Sequence, residues 1–348
     1  MQNSNSGWCK RDMASDMAKN CLVTGGLGFI GRYVVDELLS RGDRVRILDL
    51  NQPLQPIAGV EYVQGSITDR KLVQSAAEGA HWVFHLAANA GLWSSDKQSF
   101  LSINQTGTQN VMDAARSAGV ERVVHTSTES ILKTDKRASV ETIDESVQLT
   151  FEEMVGPYCQ GKYLAEQVAF SAAERGLPVV IVNPTVPIGP GDRNLTPPSR
   201  MILGFLNGNY PAFLNSRLNL VDARDVAIGH ILAAEKGRVG ERYLLGGTNL
   251  ALADLLRTLS EISDRPMPKR QVPYWLAYAI SFIQEFIADY ITHKPPQAPL
   301  TGVRLAKSPM HFSSCKAQTE LGFTTRPMQD SLIDALRWYE AQGLLKPQ

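Results

Sequence analysis

The sequence predicts an α/β fold, a doubly wound parallel sheet with a smaller, mostly helical lobe beside it. Three observations predict it. Short apolar runs alternate with helix-length segments through the first half of the chain, three glycines punctuate the first run-to-helix junction, and the texture turns to proline- and glycine-rich loop after Pro184. Strands that alternate with helices form a parallel sheet covered on both faces, because each crossover carries the chain back over one face.

The strand-like runs are CLVTG (21–25), RVRILDL (44–50), VEYVQG (60–65), HWVFHLAA (81–88), ERVVHTS (121–127) and LPVVIVNP (177–184). Helices are expected over 28–41, 69–79, 97–118 and 156–175. In 97–118 the helical spacing is carried by Phe100, Ile103, Val111, Met112 and Ala115. NPTVPIGPGDRNLTPPSR is loop material. LNLVDARDVAIGHILAAEKG then reads as a strand and a helix, and ERYLLGG as a further strand returning to the sheet. This places residues 18–183 and 218–246 in the sheet domain and 184–217 and 247–348 in the lobe. Residues 1–17 are polar and lack the apolar stretch of a signal peptide, so they read as a flexible tail.

Basic and acidic residues balance at 35 each, with no block of one sign, which argues against nucleic acid as a partner. Cys9, Cys21, Cys159 and Cys315 lie far apart, without a C-x-x-C pair. They read as reduced thiols of a cytoplasmic protein, with no metal site. The segment VPYWLAYAISFIQEFIADYITHKPP (272–296) holds an unbroken apolar run, Pro273 to Ile283, of only 11 residues. A spanning helix needs about 20, so no transmembrane segment is expected. The first reading of the segment is a helix packed on the lobe. The alternatives are a lid over an apolar substrate or a peripheral membrane contact through 272–291.

In TGGLGFIG the glycines follow a strand and open a helix, the context of a dinucleotide fingerprint. Gly25 allows the tight turn, Gly28 lets a pyrophosphate approach the backbone, and Gly31 lets helix and sheet pack closely. Phe29 and Ile30 lie in the first helical turn, whose free amides favour phosphate. Asp49 ends the second run, 24 residues after Gly25, near the distance at which an acid meets ribose hydroxyls. A carboxylate there repels a 2′-phosphate and favours NAD over NADP. Arg32, Arg44 and Arg46 keep NADP as the alternative.

GPYCQGKYLAEQ (156–167) places Tyr158 and Lys162 four apart on one helical face. An ammonium beside a phenol favours the phenolate and makes it a usable acid–base. Tyr290 and Lys294 share that spacing, but two prolines follow and no glycine turn leads in, so that pair reads as structural. The fifth run ends in HTSTES, which puts Ser127 and Thr128 at the sheet edge where ligands bind.

TGGLGFIG, HLAA (85–88), Asn104, HTST, Tyr158-x-x-x-Lys162 and NPTVPIGPGD, in this order, resemble the extended short-chain dehydrogenase/reductases with their Rossmann-type fold. The similarity runs from about residue 19 and is greatest with the hopanoid-associated sugar epimerase branch. Dihydroflavonol reductases and 3β-hydroxysteroid dehydrogenases are wider relatives. The resemblance implies that Gly25, Gly28 and Gly31 hold the pyrophosphate and Asp49 the ribose. It further implies that Ala87 and Ala88 lie under the cofactor and that Asn104 steadies the site. Tyr158 becomes the general acid–base, Lys162 binds the nicotinamide ribose, and Thr128 stands where the family has its catalytic serine. Thr126, Ser127, Asn183 and Pro184 complete the cofactor set. Ser66 replaces a frequent aspartate near the adenine, where Ile67 can still supply a contact. Leu218 stands where nucleotide-sugar epimerases place an arginine, and Arg217 is one residue off, which on a strand is the opposite face.

The leading expectation is therefore reversible hydride transfer between NAD(P) and a secondary alcohol or ketone of a small-molecule substrate. An epimerase with tightly bound NAD uses the same groups and is the alternative. A non-catalytic cofactor binder needs none of Thr128, Tyr158 and Lys162. A homodimer paired through 97–118 and 156–175 is expected from the same resemblance.

Overall fold

The computed structural model describes residues 18–136, 142–308 and 311–346; the tail expected over 1–17 lies outside them. The chain begins with β1 (Asn20–Thr24), α1 (Phe29–Ser40), β2 (Arg44–Asp49), β3 (Val60–Gln64), α2 (Arg70–Ala77) and β4 (Trp82–His85). The helix expected over 97–118 is continuous but changes pitch: α3 (Ser99–Leu101) passes through a π-helical turn at Ser102–Thr106 into α4 (Gly107–Ala118). Next come β5 (Arg122–Thr126), a 3-10 turn at Glu129–Leu132, α5 (Gly156–Glu174) and β6 (Val179–Pro184). β7 (Val186–Ile188), α6 (Pro197–Leu206), β8 (Ala212–Leu214), β9 (Arg217–Asp222), α7 (Ala223–Lys236) and β10 (Arg242–Leu245) follow. The chain closes with β11 (Thr248–Ala251), α8 (Leu252–Ser263), β12 (Arg270–Val272), α9 (Tyr274–Ile287), α10 (Leu300–Leu305) and α11 (Met328–Ala341).

Seven parallel strands form the main sheet in the order β10-β6-β5-β4-β1-β2-β3. Strand side chains alternate between its two faces. Cys21 and Val23 of β1 join Val34, Val35 and Leu38 of α1 and Val226 and Ile231 of α7 in one core. Leu22 points the other way, with Val73 of α2, Val111 and Met112 of α4 and Ala169 of α5. The strand order reverses between β1 and β4, and the carboxyl ends of the strands at such a point are the usual ligand position in these sheets.

The lobe has its own core, which includes Ile202, Phe205, Leu255, Leu259, Leu336 and Tyr339. Two segments depart from the expected layout. β10 rejoins the main sheet beside β6, but β9 pairs with β7 and β11 in a separate three-stranded sheet. Ala317, Leu321 and Phe323, expected in the lobe, pack into the first core of the main sheet. Both follow from burial: each segment covers apolar surface that the seven strands leave open.

Candidate active site

The cofactor end is built by the turn after β1. Gly25 adopts φ +72°, and a Cβ there would lie 2.8 Å from the backbone nitrogen of Ala87. A Cβ on Gly31 would overlap the Gly25 carbonyl oxygen, so α1 approaches the turn only as glycine. Phe29 is buried and Ile30 half-buried, which leaves their backbone amides as what they can offer a ligand. α1 begins at Gly28 with no side-chain cap and no acid in its first turn. Its free amides and partial positive charge thus remain open to phosphate.

Asp49 stands at the rim of that turn, accepting from the amides of Leu27 (3.1 Å) and Asn51 (3.0 Å). Of the three arginines weighed for NADP, buried Arg46 is committed elsewhere. It donates to the carbonyls of Ala76 (2.7 Å) and Glu78 (2.9 Å) and pairs with Glu61 at 2.9 Å. Arg32 pairs with Asp36 at 3.2 Å. The Ser66 hydroxyl bonds within its own turn, 2.7 Å from Thr68 Oγ1. Ile67 is buried in the second core, and its carbonyl accepts from Asn110 at 3.0 Å. Ala87 donates its N–H to Thr24 Oγ1 (3.2 Å) with Ala88 half-buried beside it, directly across from Gly25.

The catalytic end is built where α5 meets the end of β5. Gly156 starts α5 at φ +77°, and a Cβ there would lie 2.5 Å from Thr301 Oγ1. Pro157 follows and sets the first turn, so Tyr158 enters the site from a fixed corner. Its ring meets Phe100 edge-on, with centroids 6.3 Å apart, and its phenol lies beside the Thr128 side chain. The Thr128 hydroxyl donates to Glu129 Oε2 at 2.8 Å and accepts from the Ser130 amide at 3.2 Å. Asn104, in the π-helical turn, holds the Asn89 backbone through two hydrogen bonds (2.7 and 3.1 Å).

Lys162 departs from expectation. Its ammonium donates to the Thr126 carbonyl at 2.7 Å, and burial pushes its pKa down to about 8 against the pull of Glu166. Burial also drives the Tyr158 phenol well above its ordinary range; the neighbouring Thr128 hydroxyl opposes that rise and the Glu129 charge adds to it. The phenol is therefore held as a proton donor, not as the phenolate that the spacing of the pair suggests. The Thr126 hydroxyl donates to His230 Nε2 at 2.8 Å, since His230 Nδ1–H is spent on the Val226 carbonyl. Asn183 is fully buried and divides its amide between the Thr128 carbonyl (3.1 Å) and Glu166 (2.9 Å). Pro184 closes β6 beneath it. Ser127 is buried, its amide donates to the Val182 carbonyl (2.8 Å), and its hydroxyl has no partner among the described residues. That orphaned hydroxyl, the uncapped α1 and the glycine cradle fit a bound dinucleotide.

Glu129 is the site residue that motif reading misses. It is buried beside Thr128 and pairs with buried Lys133 at 3.1 Å. The signal was present as an acid and a base four apart just after HTST. Tyr290 and Lys294, the look-alike pair, are exposed. Around Tyr158 the walls are apolar, with Phe100, Ile131, Met154 and Phe312 buried and Leu92 and Leu218 against them. Leu218 packs into this cluster while Arg217 is exposed.

Residues 21–246 match the NAD dependent epimerase/dehydratase family. The chain is 38% identical over 340 residues to the putative dihydroflavonol 4-reductase of a Synechocystis species, covering 95% of this chain and 98% of that protein. It is 31% identical over 329 residues to sterol demethylase protein B of Methylococcus capsulatus, covering 93% and 99%. The crystal structure of gox2253, 35% identical, superposes with a TM-score of 0.80 over 94% of this chain and 100% of that one. Fold, site and relatives define an NAD(P)-dependent oxidoreductase of alcohol and ketone groups. The chain belongs to the NAD-dependent epimerase/dehydratase family, the extended short-chain dehydrogenase/reductases.

Proposed function

We propose that the chain is an NADH-dependent ketoreductase for a small apolar substrate, with Tyr158 as general acid. One observation carries the reading: the phenol stands in an apolar enclosure, and Leu218 belongs to that enclosure where a nucleotide-sugar enzyme would bring an arginine. The sterol in the name of the Methylococcus relative points the same way. Gly25, Gly28, Phe29, Ile30 and Gly31 would hold the pyrophosphate, Asp49 the adenosine ribose, and Ala87, Ala88 and Ser127 the nicotinamide end. The bound cofactor supplies hydride to the carbonyl carbon.

The chain's own part is to place that carbonyl and protonate its oxygen. Thr128 turns its hydroxyl from Glu129 to the substrate oxygen, and Tyr158 delivers its proton to the same atom. Lys162 holds the ribose and the Thr126 carbonyl together. Asn183 and Glu166 keep the Thr128 backbone still. Asp49 repels a 2′-phosphate, and Arg46 is unavailable to offset it, which favours NAD over NADP. Two copies paired through 97–118 and 156–175, in the cytoplasm, complete the reading.

A panel of apolar ketones and nucleoside-diphosphate sugars, each offered with NADH and NADPH, tests it. The expected result is net NADH oxidation with an apolar ketone, with kcat/KM for NADPH at least about tenfold below that for NADH. Tyr158→Phe should lower kcat by about 10²–10⁴-fold. Turnover of a nucleotide sugar with retained dinucleotide and no net oxidation would make the chain an epimerase instead. Undiminished activity in Tyr158→Phe would remove the assigned acid.

A further inference from the structure

Residues 274–291 invert the usual arrangement of a surface helix. α9 and the π-helical turn Ala288–Thr292 that continues it turn their polar groups inward. Ser281 Oγ donates to the Ala298 carbonyl at 2.6 Å, and Gln284 Oε1 accepts from the Ala298 amide at 3.3 Å. Glu285 accepts from the Leu300 amide at 2.8 Å, and Asp289 accepts from Trp93 Nε1 at 2.7 Å. Lys97 pairs with both acids, at 3.4 and 3.1 Å. On the opposite side Trp275, Phe282, Ile283, Phe286, Tyr290 and Ile291 each keep more than half of their surface exposed. Positions 275, 282, 286 and 290 follow helical spacing, so the exposed groups form one stripe. Of the fifteen large apolar side chains exposed among the described residues, ten lie between Trp275 and Ile291. The helix packs on the lobe, as its sequence first suggests, but by its polar side, and the contiguous apolar patch it leaves outward marks an interface.

We infer that this face docks on an anionic lipid bilayer, with α9 lying in the boundary between headgroups and acyl chains. No helix among the described residues is long and apolar enough to cross a membrane, so the segment lies on the surface. The charges choose the partner. Both acids of the helix face the protein and are met by Lys97, which leaves the stripe without negative charge. Exposed cations flank it at each end, Lys269 and Arg270 before it and Lys294 after it. A second copy laid on the stripe in either direction brings cations against cations. Lipid phosphates pair with both ends at once. Trp275 and Tyr290, near the two ends, are the amphipathic aromatics that settle at headgroup level.

Docking would also orient the catalytic end. Trp93 and Lys97 tie the helix to the segment that leads into Phe100, and Thr301 of α10 packs on Gly156. A substrate dissolved in the bilayer would then meet the Tyr158 side first; this clause rests on the proposed reductase activity, whereas the docking does not.

The test is co-sedimentation of the full chain with phosphatidylcholine vesicles, with and without phosphatidylglycerol. The wild type should pellet with the anionic vesicles, and less with zwitterionic ones. A variant carrying Trp275→Ser, Phe282→Ser and Phe286→Ser should pellet at least about tenfold less. A second variant, Lys269→Glu, Arg270→Glu and Lys294→Glu, leaves the stripe intact and should also lose binding. Wild type that stays in the supernatant overturns the inference, as does equal pelleting of the first variant or of the zwitterionic sample. So does a wild-type dimer that the serine variant converts to monomer without any vesicle binding, since a second copy then covers the face. Turnover of a water-soluble ketone without vesicles should be equal in wild type and serine variant. Vesicle binding without turnover in either counts against the reductase reading alone.

Discussion

Tyr158 and Lys162 are one helical turn apart, yet each answers first to its surroundings. Burial keeps the phenol protonated and brings the Lys162 pKa down to about 8. Ketone reduction consumes a proton from Tyr158, so its kcat should be level from pH 6 to near 8 and fall as Lys162 loses its charge. Alcohol oxidation needs the phenolate and should climb with pH over the same range. Opposite slopes in the two directions, from steady-state rates at saturating cofactor, are the expected outcome; parallel slopes would place the titrating group elsewhere. Glu129 offers a second probe at this scale. Glu129→Leu removes both the acceptor of the Thr128 hydroxyl and a carboxylate that meets buried Lys133, a loss of about 1–3 kcal/mol, measurable by urea unfolding. Adding Lys133→Met should recover part of that stability but not kcat, because no acceptor at position 129 then positions the Thr128 hydroxyl.

The helices show how backbone contact sets side-chain placement. Gly161 lets α5 lie against the segment before α4, for a Cβ there would overlap the Phe100 carbonyl oxygen and approach Asn104 Nδ2 at 3.3 Å. The π-helical turn at Ser102–Thr106 carries Asn104 at the point where the two helices touch. Gly161→Ala should cost about 1–3 kcal/mol through overpacking and lower kcat as Asn104 and Tyr158 move apart. Thermal unfolding and turnover measured together check this; an unchanged Tm would show that the helices can separate freely. The extents of α1, α2 and α5 were legible to within two residues, since apolar spacing and the glycine and proline punctuation are local. The change of pitch in 97–118 was not, because it answers to Gly161, more than fifty residues away.

Across the molecule, three buried histidines tie stability to pH. Burial lowers His85 to about 3, His230 to about 4, and His125 well below its ordinary value, with Lys162 adding to the effect at His85 and His125. Folded values lie below the unfolded one near 6.5, so only the unfolded chain takes up these protons as the solution becomes acid. Their stabilisation is complete above pH 6.5 and is lost as pH falls from there toward 4, at roughly 1.4 kcal/mol per pH unit for each histidine. Urea midpoints at pH 7.5, 6 and 5 should decline in that order; a flat series would mean that the rings are protonated in the fold.

The sequence by itself determined the alternation of strands and helices, the glycine turn that opens α1, the acid that ends β2, and the Tyr158–Lys162 corner. Each depends on spacing and backbone freedom among near neighbours. Only the tertiary structure decided which partners the charges took: Lys162 the Thr126 carbonyl, Arg46 the end of α2, Thr128 the Glu129 carboxylate. It also decided that Arg217–Asp222 joins a second sheet and that α9 shows its apolar side outward. Those outcomes rest on desolvation and on contacts between segments distant in the chain, and neither has a local period to betray it.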